Sequence, residues 1–141
     1  MKQAYEDGLI LENPCKRVRS FKEDNVVDRI MTDREVEAFI DACKQSDNSP
    51  QALALHLALL TGIRIGNICN LKKSFINYES AELTLPDTKP GKPLTLPLSS
   101  EAMRILSKAS SIAGDSDYVF ASSRSKTGYI AYPDTAFFKL C

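Results

Sequence analysis

Apolar positions change their spacing twice along this chain. Up to Leu71 they recur roughly every three or four positions, which is helical spacing. From Phe75 to Leu98 they alternate with polar residues, as in half-buried strands, and after Ser99 the spacing is helical again. The pattern predicts a mostly helical α+β fold, with helices near residues 32–45, 51–62, 65–71, 99–112 and 134–141, and a three-stranded antiparallel sheet between residues 74 and 98.

Local signals indicate where the first two of these helices begin and end. Thr32 and Glu35 have the spacing of a capping box, in which each side chain bonds the other residue's amide. Pro50 suits the first turn of the next helix, and Gly62 follows its last apolar turn, where glycine favours a left-handed cap. That second helix is almost wholly apolar, which predicts that it is buried on every side.

Two shorter features complete the expected fold. Pro90 and Gly91 fit the central positions of a type II turn, because proline fixes the first φ and glycine accepts the positive φ of the second. Lys89 and Lys92 would then flank the tip of a hairpin. Residues 118–120 are predicted to form a short apolar strand, and residues 121–132 a polar loop.

Arg64 stands at the junction between the second and third predicted helices, with Ile63 and Ile65 on either side. A guanidinium keeps its proton, and burying it without a partner costs several kcal/mol. Arg64 therefore either reaches water or has an anionic partner, and the local sequence leaves both possibilities open.

Composition limits the possible functions without choosing among them. The 141 residues amount to about one domain, and 43% apolar with 26% charged residues is typical of a globular protein. The formal net charge is zero, so nucleic-acid binding must depend on local basic patches. The four cysteines form no CxxC pair and His56 is the only histidine, so no metal site is expected. Without a signal peptide or a long apolar run, a cytoplasmic chain outside the membrane is predicted.

Local basic patches are present in two places besides Arg64. One is the lysine pair Lys89 and Lys92, and the other is a segment whose cations are Lys16, Arg17, Arg19 and Lys22. A guanidinium fork and a mobile ammonium together suit the binding of a phosphate and the movement of a proton. Taken alone, a basic linker or a lysine-flanked turn is usually just solvated.

The amino-acid sequences and the order of several segments resemble those of the tyrosine recombinases, or phage integrases. Residues 59–71, LLTGIRIGNICNL, resemble the first-arginine box of that family. Residues 31–36, MTDREV, resemble the element that precedes the box, and residues 85–98, LPDTKPGKPLTLPL, resemble its β-hairpin. Upstream, Gly8-Leu9-Ile10 with Asn13-Pro14 is similar to the exit from the family's helical core-binding domain.

The resemblance implies a lambda-integrase-like catalytic-domain fragment. Residues 1–30 would be the end of a core-binding domain and a linker, and residues 31–141 the N-terminal half of the catalytic domain. Double-stranded DNA and other recombinase protomers are the implied partners, with no metal, small-molecule cofactor or membrane.

The resemblance also implies a site-specific recombination chemistry. In this family a tyrosine attacks a DNA phosphodiester and forms a 3′-phosphotyrosine bond, two arginines hold the phosphate, and a hairpin lysine acts as general acid. By position, the first arginine is Arg64 and the lysine is Lys89. The remaining basic residues are expected to contact DNA: Lys16, Arg17, Arg19, Lys22 and Lys92.

The sequence departs from the family pattern in two respects. Asn67 stands where the family usually has a carboxylate, and an amide can orient Arg64 but cannot neutralise it. No His-x-x-Arg box is present, so none of the tyrosines near the C-terminal end is assigned as the nucleophile (Tyr118, Tyr129 and Tyr132). The chain is expected to be the first half of a catalytic domain and inactive alone.

Two other interpretations stay open at this point. One is a non-catalytic DNA-binding module that has kept the scaffold and lost the chemistry. The other is a small α+β interaction domain in which Arg64 pairs with an internal carboxylate and the lysines are simply solvated.

Overall fold

The chain divides into two units in a computed structural model that describes residues 2–12, 14, 30–86 and 93–140. The first unit, Met1–Ile30, contains the short helix α1 (Lys2–Glu6). The second unit, Met31–Cys141, holds all the buried apolar side chains of the described residues. That the first unit is the end of a core-binding domain stays a prediction. The predicted turn at Pro90 and Gly91 lies outside the described residues, as do Lys16, Arg17, Arg19, Lys22, Lys89 and Lys92.

The helices of the second unit follow the predicted order. They are α2 (Asp33–Gln45), α3 (Pro50–Thr61), α4 (Ile65–Cys69), α5 (Ser100–Ala113) and α6 (Asp134–Leu140). The largest difference from the sequence prediction is at α4, which ends two residues early. There the Leu71 amide donates to the Ile68 carbonyl, 3.1 Å away, in a tighter turn that closes the helix.

The helix ends form through the local contacts that the sequence predicts. Thr32 and Glu35 make the capping box: the Thr32 amide donates to Glu35 Oε2 over 2.8 Å, and Thr32 Oγ1 accepts from the Glu35 amide. Gly62 has φ 66° and donates its amide to the Ala58 carbonyl over 2.9 Å, which is the expected left-handed cap of α3. Both predictions are confirmed.

The three-stranded antiparallel sheet is also confirmed. Its strands are β1 (Ile76–Asn77), β2 (Glu82–Leu85) and β3 (Leu94–Pro97), in the order β1-β2-β3. Leu83 lies opposite Ile76 on one side and Leu96 on the other. Leu83 and Leu85 are buried while the residues between and before them are exposed, so the alternating pattern does mark one face of the sheet.

The strand predicted over residues 118–120 is wrong. Tyr118 forms a single antiparallel bridge with Lys72, and the Val119 amide donates to the Leu71 carbonyl over 2.8 Å. Val119 and Phe120 are fully buried in a turn instead. A short apolar run thus indicated burial correctly, but it could not indicate backbone conformation.

Helix α3 is the centre of the helical core. It packs against α2, α4, α5 and α6, and its side chains Leu53 and Leu57 are fully buried. The prediction that α3 is buried on every side is wrong at its last turn, where Leu59 and Leu60 are 38% and 40% exposed. The described elements cover the first two turns of the helix and leave the third in contact with solvent. No helix among the described residues is long and apolar enough to cross a membrane.

Candidate active site at the junction of α3 and α4

The backbone of Arg64 is fixed by its neighbours, and its side chain is exposed. The left-handed Gly62 turns the chain out of α3, and the next residue, Ile63, is buried in the core. The Arg64 carbonyl then accepts from the amides of Asn67 and Ile68, over 2.9 and 3.3 Å, so Arg64 is the first residue in front of α4. Its side chain is exposed. Two helix ends and a buried isoleucine therefore fix the point from which the guanidinium extends.

The positive charge of Arg64 is uncompensated within the described part of the chain. The ion pairs found there join Arg104 to Glu101, at 2.7 Å, and Lys108 to Asp47. The Asn67 side chain makes no hydrogen bond to Arg64, and the two residues are joined through their backbones alone. Arg64 thus reaches water. If the chain were a small interaction domain, Arg64 would pair with an internal carboxylate, and no such carboxylate is found among these residues.

A groove runs along α4 beside this junction, and we call it the α4 groove. It consists of two adjoining cavities of about 380 and 560 Å³ that share Asn67, Asn70 and Tyr129. Lys72 and Tyr118 also line the first cavity. Gly66 lines the second, together with hydroxyl groups of the following loop: Ser125, Thr127 and Tyr132. Arg64 itself is not among the residues that line either cavity.

The aromatic wall of the α4 groove is built by tertiary contacts. The rings of Tyr118 and Tyr129 lie 4.9 Å apart between centroids at an angle of 56°, and the Lys72 ammonium lies 6.0 Å from the Tyr118 ring centre. Sequence reasoning did not assign Asn70 or Lys72 to a site. The nearest signal was their position at the end of the first-arginine box, with Asn70 inside it and Lys72 directly after it.

His56 and Cys69 are core residues rather than reactive groups. Burial lowers the pKa of the His56 imidazole, although the Glu101 carboxylate acts in the opposite direction, and the side chain is 3% exposed. Burial also raises the pKa of the Cys69 thiol, and Asp134 adds to that increase. The described residues contain no group of three His, Cys, Asp or Glu side chains that could hold a metal ion.

Of the candidate residues named from the sequence, Arg64 is the one that the structure describes. Lys89, Lys92 and the basic residues of the linker fall on positions that are not described, so their roles stay predictions.

Curated proteins that are similar to most of this chain include two tyrosine recombinases. It is 31% identical over 137 residues to the tyrosine recombinase XerA of Pyrococcus furiosus, covering 94% of this chain and 46% of that protein. It is 26% identical over 130 residues to a tyrosine recombinase of Thermosipho africanus, covering 92% and 44%. The chain thus spans less than half the length of these relatives.

Solved structures with a similar fold come from the same kind of protein. A lambda integrase tetramer bound to a Holliday junction matches 99% of this chain with a TM-score of 0.66 and 25% identity, over 42% of the integrase chain. The XerA recombinase crystal structure matches 84% of this chain with a TM-score of 0.64 and 20% identity, over 43% of its own chain. The model of the phage integrase family matches residues 29–136, well over half of the sequence. The chain therefore belongs to the phage integrase family.

Proposed function

We propose that Arg64 holds the scissile phosphate of a DNA strand in a site-specific recombination reaction catalysed by a tyrosine recombinase that contains this chain. The main observation behind this proposal is the exposed Arg64 side chain, which has no ion-pair partner among the described residues. Its backbone is fixed at the junction of two helices. Family membership and the names of the relatives support the same proposal.

In the proposed reaction the phenolate oxygen of a tyrosine attacks the phosphorus and the bond to the 5′-oxygen breaks. A 3′-phosphotyrosine bond forms, and the leaving 5′-oxygen takes a proton from Lys89. Arg64 stabilises the charge that grows on the non-bridging phosphate oxygens. Removal of one such donor typically lowers a rate by about 100- to 1000-fold.

The partners proposed for the complete recombinase are duplex DNA and further recombinase protomers, by analogy with the lambda integrase tetramer solved with a Holliday junction. The proposed compartment is the cytoplasm, because the proposed substrate is DNA. No segment of these 141 residues matches the His-x-x-Arg box, so we propose that this chain alone binds DNA without cleaving it.

A suicide DNA substrate tests the catalytic role in the complete recombinase. Arg64→Ala is expected to lower the yield of covalent protein–DNA adduct by about 100-fold or more. Arg34→Ala, which removes an exposed arginine from α2, is the matched control and is expected to leave the yield unchanged. Adduct formation at the parental rate by Arg64→Ala would rule out the proposed role.

A non-catalytic DNA-binding module is the second candidate, and Asn67 favours it. The side chain at this position is neutral and does not bond to Arg64, whereas the family usually has a carboxylate there. The same suicide substrate separates the two candidates. A complete protein that binds the substrate but forms no adduct, even without any substitution, would support the second candidate over the first.

A further inference from the structure

A buried histidine lies where α2 and α5 pack against α3. His56 is on the second turn of α3, and its neighbours Leu53 and Leu57 are fully buried in the core. Among the described residues, no hydrogen bond to the His56 imidazole is found. A proton added to this ring therefore places a charge in a site from which most water is excluded.

Three charged side chains face His56 from the helices around it. Lys44 comes from the last turn of α2, and Glu101 and Arg104 come from the first turns of α5. Helix α4 carries no charged residue, and both charged residues of α6 are exposed. We call His56 and the three side chains that face it the His56 junction. Within the described part of the chain, Glu101 is the carboxylate of this junction, and it stands beside two cations.

The Glu101 carboxylate is already engaged while His56 is neutral. Arg104 Nε donates to Glu101 Oε2 over 2.9 Å, and Arg104 Nη2 donates to Glu101 Oε1 over 2.7 Å. This contact lowers the pKa of the Glu101 carboxyl and raises the pKa of the Arg104 guanidinium, so both groups are charged at neutral and mildly acidic pH. A protonated His56 must therefore compete with Arg104 for a carboxylate oxygen.

The difference in burial decides this competition in favour of the histidine. Glu101 and Arg104 lie one helical turn apart on the surface, and their side chains are 37% and 47% exposed. An exposed pair of this kind contributes little to stability, because water solvates both charges. An unpaired cation in the buried site is costly, and the neighbouring cations Lys44 and Arg104 increase that cost. Moving Glu101 to the buried partner therefore lowers the free energy once His56 is protonated.

A second carboxylate lies close to Arg104 and remains there after such a move. The hydrogen bond to Glu101 is the main cause of the raised pKa of Arg104, and Asp47, in the turn that follows α2, adds to it. Asp47 also pairs with Lys108, one turn further along α5. Arg104 thus keeps an anionic neighbour when Glu101 leaves.

We propose that protonation of His56 transfers the Glu101 carboxylate from Arg104 to the imidazolium, so that the α3–α5 interface exchanges ion pairs in response to acid. The proton comes from solvent and returns to it, and no covalent bond changes. Neutral His56 leaves Glu101 bonded along α5, whereas protonated His56 holds Glu101 across the interface to α3. The exchange does not depend on the proposed function, because the His56 junction shares no residue with the candidate active site.

Titration of His56 by NMR is the first test, because this is the sole histidine of the chain and its ring signals need no separation from others. Glu101→Gln is expected to lower the pKa of His56, since it removes the carboxylate that receives the imidazolium. Arg104→Gln is expected to raise that pKa, and to raise it less when Glu101→Gln is also present, because Arg104 competes for this carboxylate. Both substituted side chains are on the surface, and circular dichroism verifies that the fold is kept.

Lys44→Gln is the matched control, because it removes a cation that faces His56 and has no hydrogen bond to Glu101 among the described residues. It should raise the pKa of His56 by similar amounts with and without Glu101→Gln. If Arg104→Gln behaved in the same way, Arg104 would act only as a nearby charge and the exchange would be refuted. An unchanged pKa of His56 in Glu101→Gln would also refute it.

The second test follows the Arg104 Nε–H signal through the same titration. In the parent this signal should change with the midpoint of the His56 ring, because the hydrogen bond to Glu101 Oε2 is lost there. In His56→Gln the signal should stay constant over this pH range, since the lowered pKa of Glu101 places its own titration at lower pH. A parental midpoint that differs from that of the His56 ring would overturn the proposal, even if His56→Gln failed to fold.

Discussion

The hydroxyl oxygen of Tyr132 lies 2.6 Å from the position that a Cβ atom on Gly66 would occupy. The end of the loop that leads into α6 therefore touches the first turn of α4. Since α4 begins directly after Arg64, the absence of a side chain at residue 66 lets the loop approach the candidate site. Tyr132 is 63% exposed, so its ring has room to move away if that contact is blocked.

Gly66→Ala is expected to displace the Tyr132 ring with little change in overall stability. Alanine favours the helix by about 0.5–1 kcal/mol over glycine, and the lost contact acts against that gain. In a Tyr132→Ala background the same substitution should show the helical gain in full. Urea unfolding of the four proteins in this double-mutant cycle measures the difference. The same effect of Gly66→Ala in both backgrounds would mean that the two residues do not interact.

Leu57→Ala and Leu60→Ala compare a buried and an exposed position of the same helix. Leu57 is fully buried and Leu60 is 40% exposed, while the change in helix propensity is identical. We expect Leu57→Ala to lower the free energy of unfolding by about 2–5 kcal/mol. Leu60→Ala should lower it by clearly less than Leu57→Ala does, because about 40% of the residue's surface already touches water. Similar losses would show that the last turn of α3 is covered in solution.

His56 is expected to make the chain less stable as the pH falls. Because burial lowers its pKa in the folded protein, the unfolded chain binds a proton on His56 more readily than the folded chain does. The stability contributed by neutral His56 is complete above its ordinary pKa of 6.5 and is lost as the pH falls through the lower folded value. Glu101, Arg104 and Lys44 act on the same group.

The measurement is the urea midpoint of the parent and of His56→Gln at pH 7.5 and at mildly acidic pH. The variant keeps a polar side chain but cannot titrate, so the decrease between the two pH values should be smaller than in the parent. Parallel pH profiles would exclude a contribution from His56.

Lys89→Ala tests the proposed general acid in the complete recombinase. Loss of an acid slows cleavage most when the leaving group is poor, so a natural phosphodiester should be affected more than one with an activated leaving group. Single-turnover cleavage rates on the two substrates measure the difference. Equal losses on both would contradict proton donation by Lys89 and would favour simple phosphate binding.

This chain alone is expected to form no covalent adduct with a suicide substrate. Its binding to a duplex should be weak, with Kd of about 10⁻⁴–10⁻⁶ M at physiological salt and a log–log salt slope near −3.6 if about four phosphates are contacted. A denaturing gel and the salt series measure these two properties. An adduct would identify Tyr118, Tyr129 or Tyr132 as a nucleophile, contrary to our interpretation.

The sequence predicted the features that depend on neighbouring residues. The capping box at Thr32, the Gly62 cap and the alternation around Leu83 each involve side chains or amides a few positions apart, so the pattern was sufficient. Residues 118–120 were assigned wrongly because their conformation depends on partners near Leu71, about fifty positions away.

For the candidate site too, the sequence predicted what depends on neighbouring residues and missed what depends on distant ones. Arg64 was identified from its position between two predicted helices and from the resemblance of its segment to the family's first-arginine box. The α4 groove was missed because Asn70 and Lys72 line a cavity only after the loop carrying Tyr129 packs against α4. Solvent contact at Leu59 and Leu60 was also missed, because composition says that a helix is apolar but not how far its neighbours extend along it.

The packing of four helices on α3 has a consequence for the entropy of the proposed phosphate binding at Arg64. Since α2, α4, α5 and α6 share this one helix as their partner, α3 as a whole cannot loosen without disturbing several interfaces at once. The backbone in front of α4 is therefore expected to open rarely, with a free energy of local opening that approaches that of global unfolding. A phosphate that reaches Arg64 would have to immobilise only the arginine side chain, and little of the binding energy would be spent on ordering the chain beneath it.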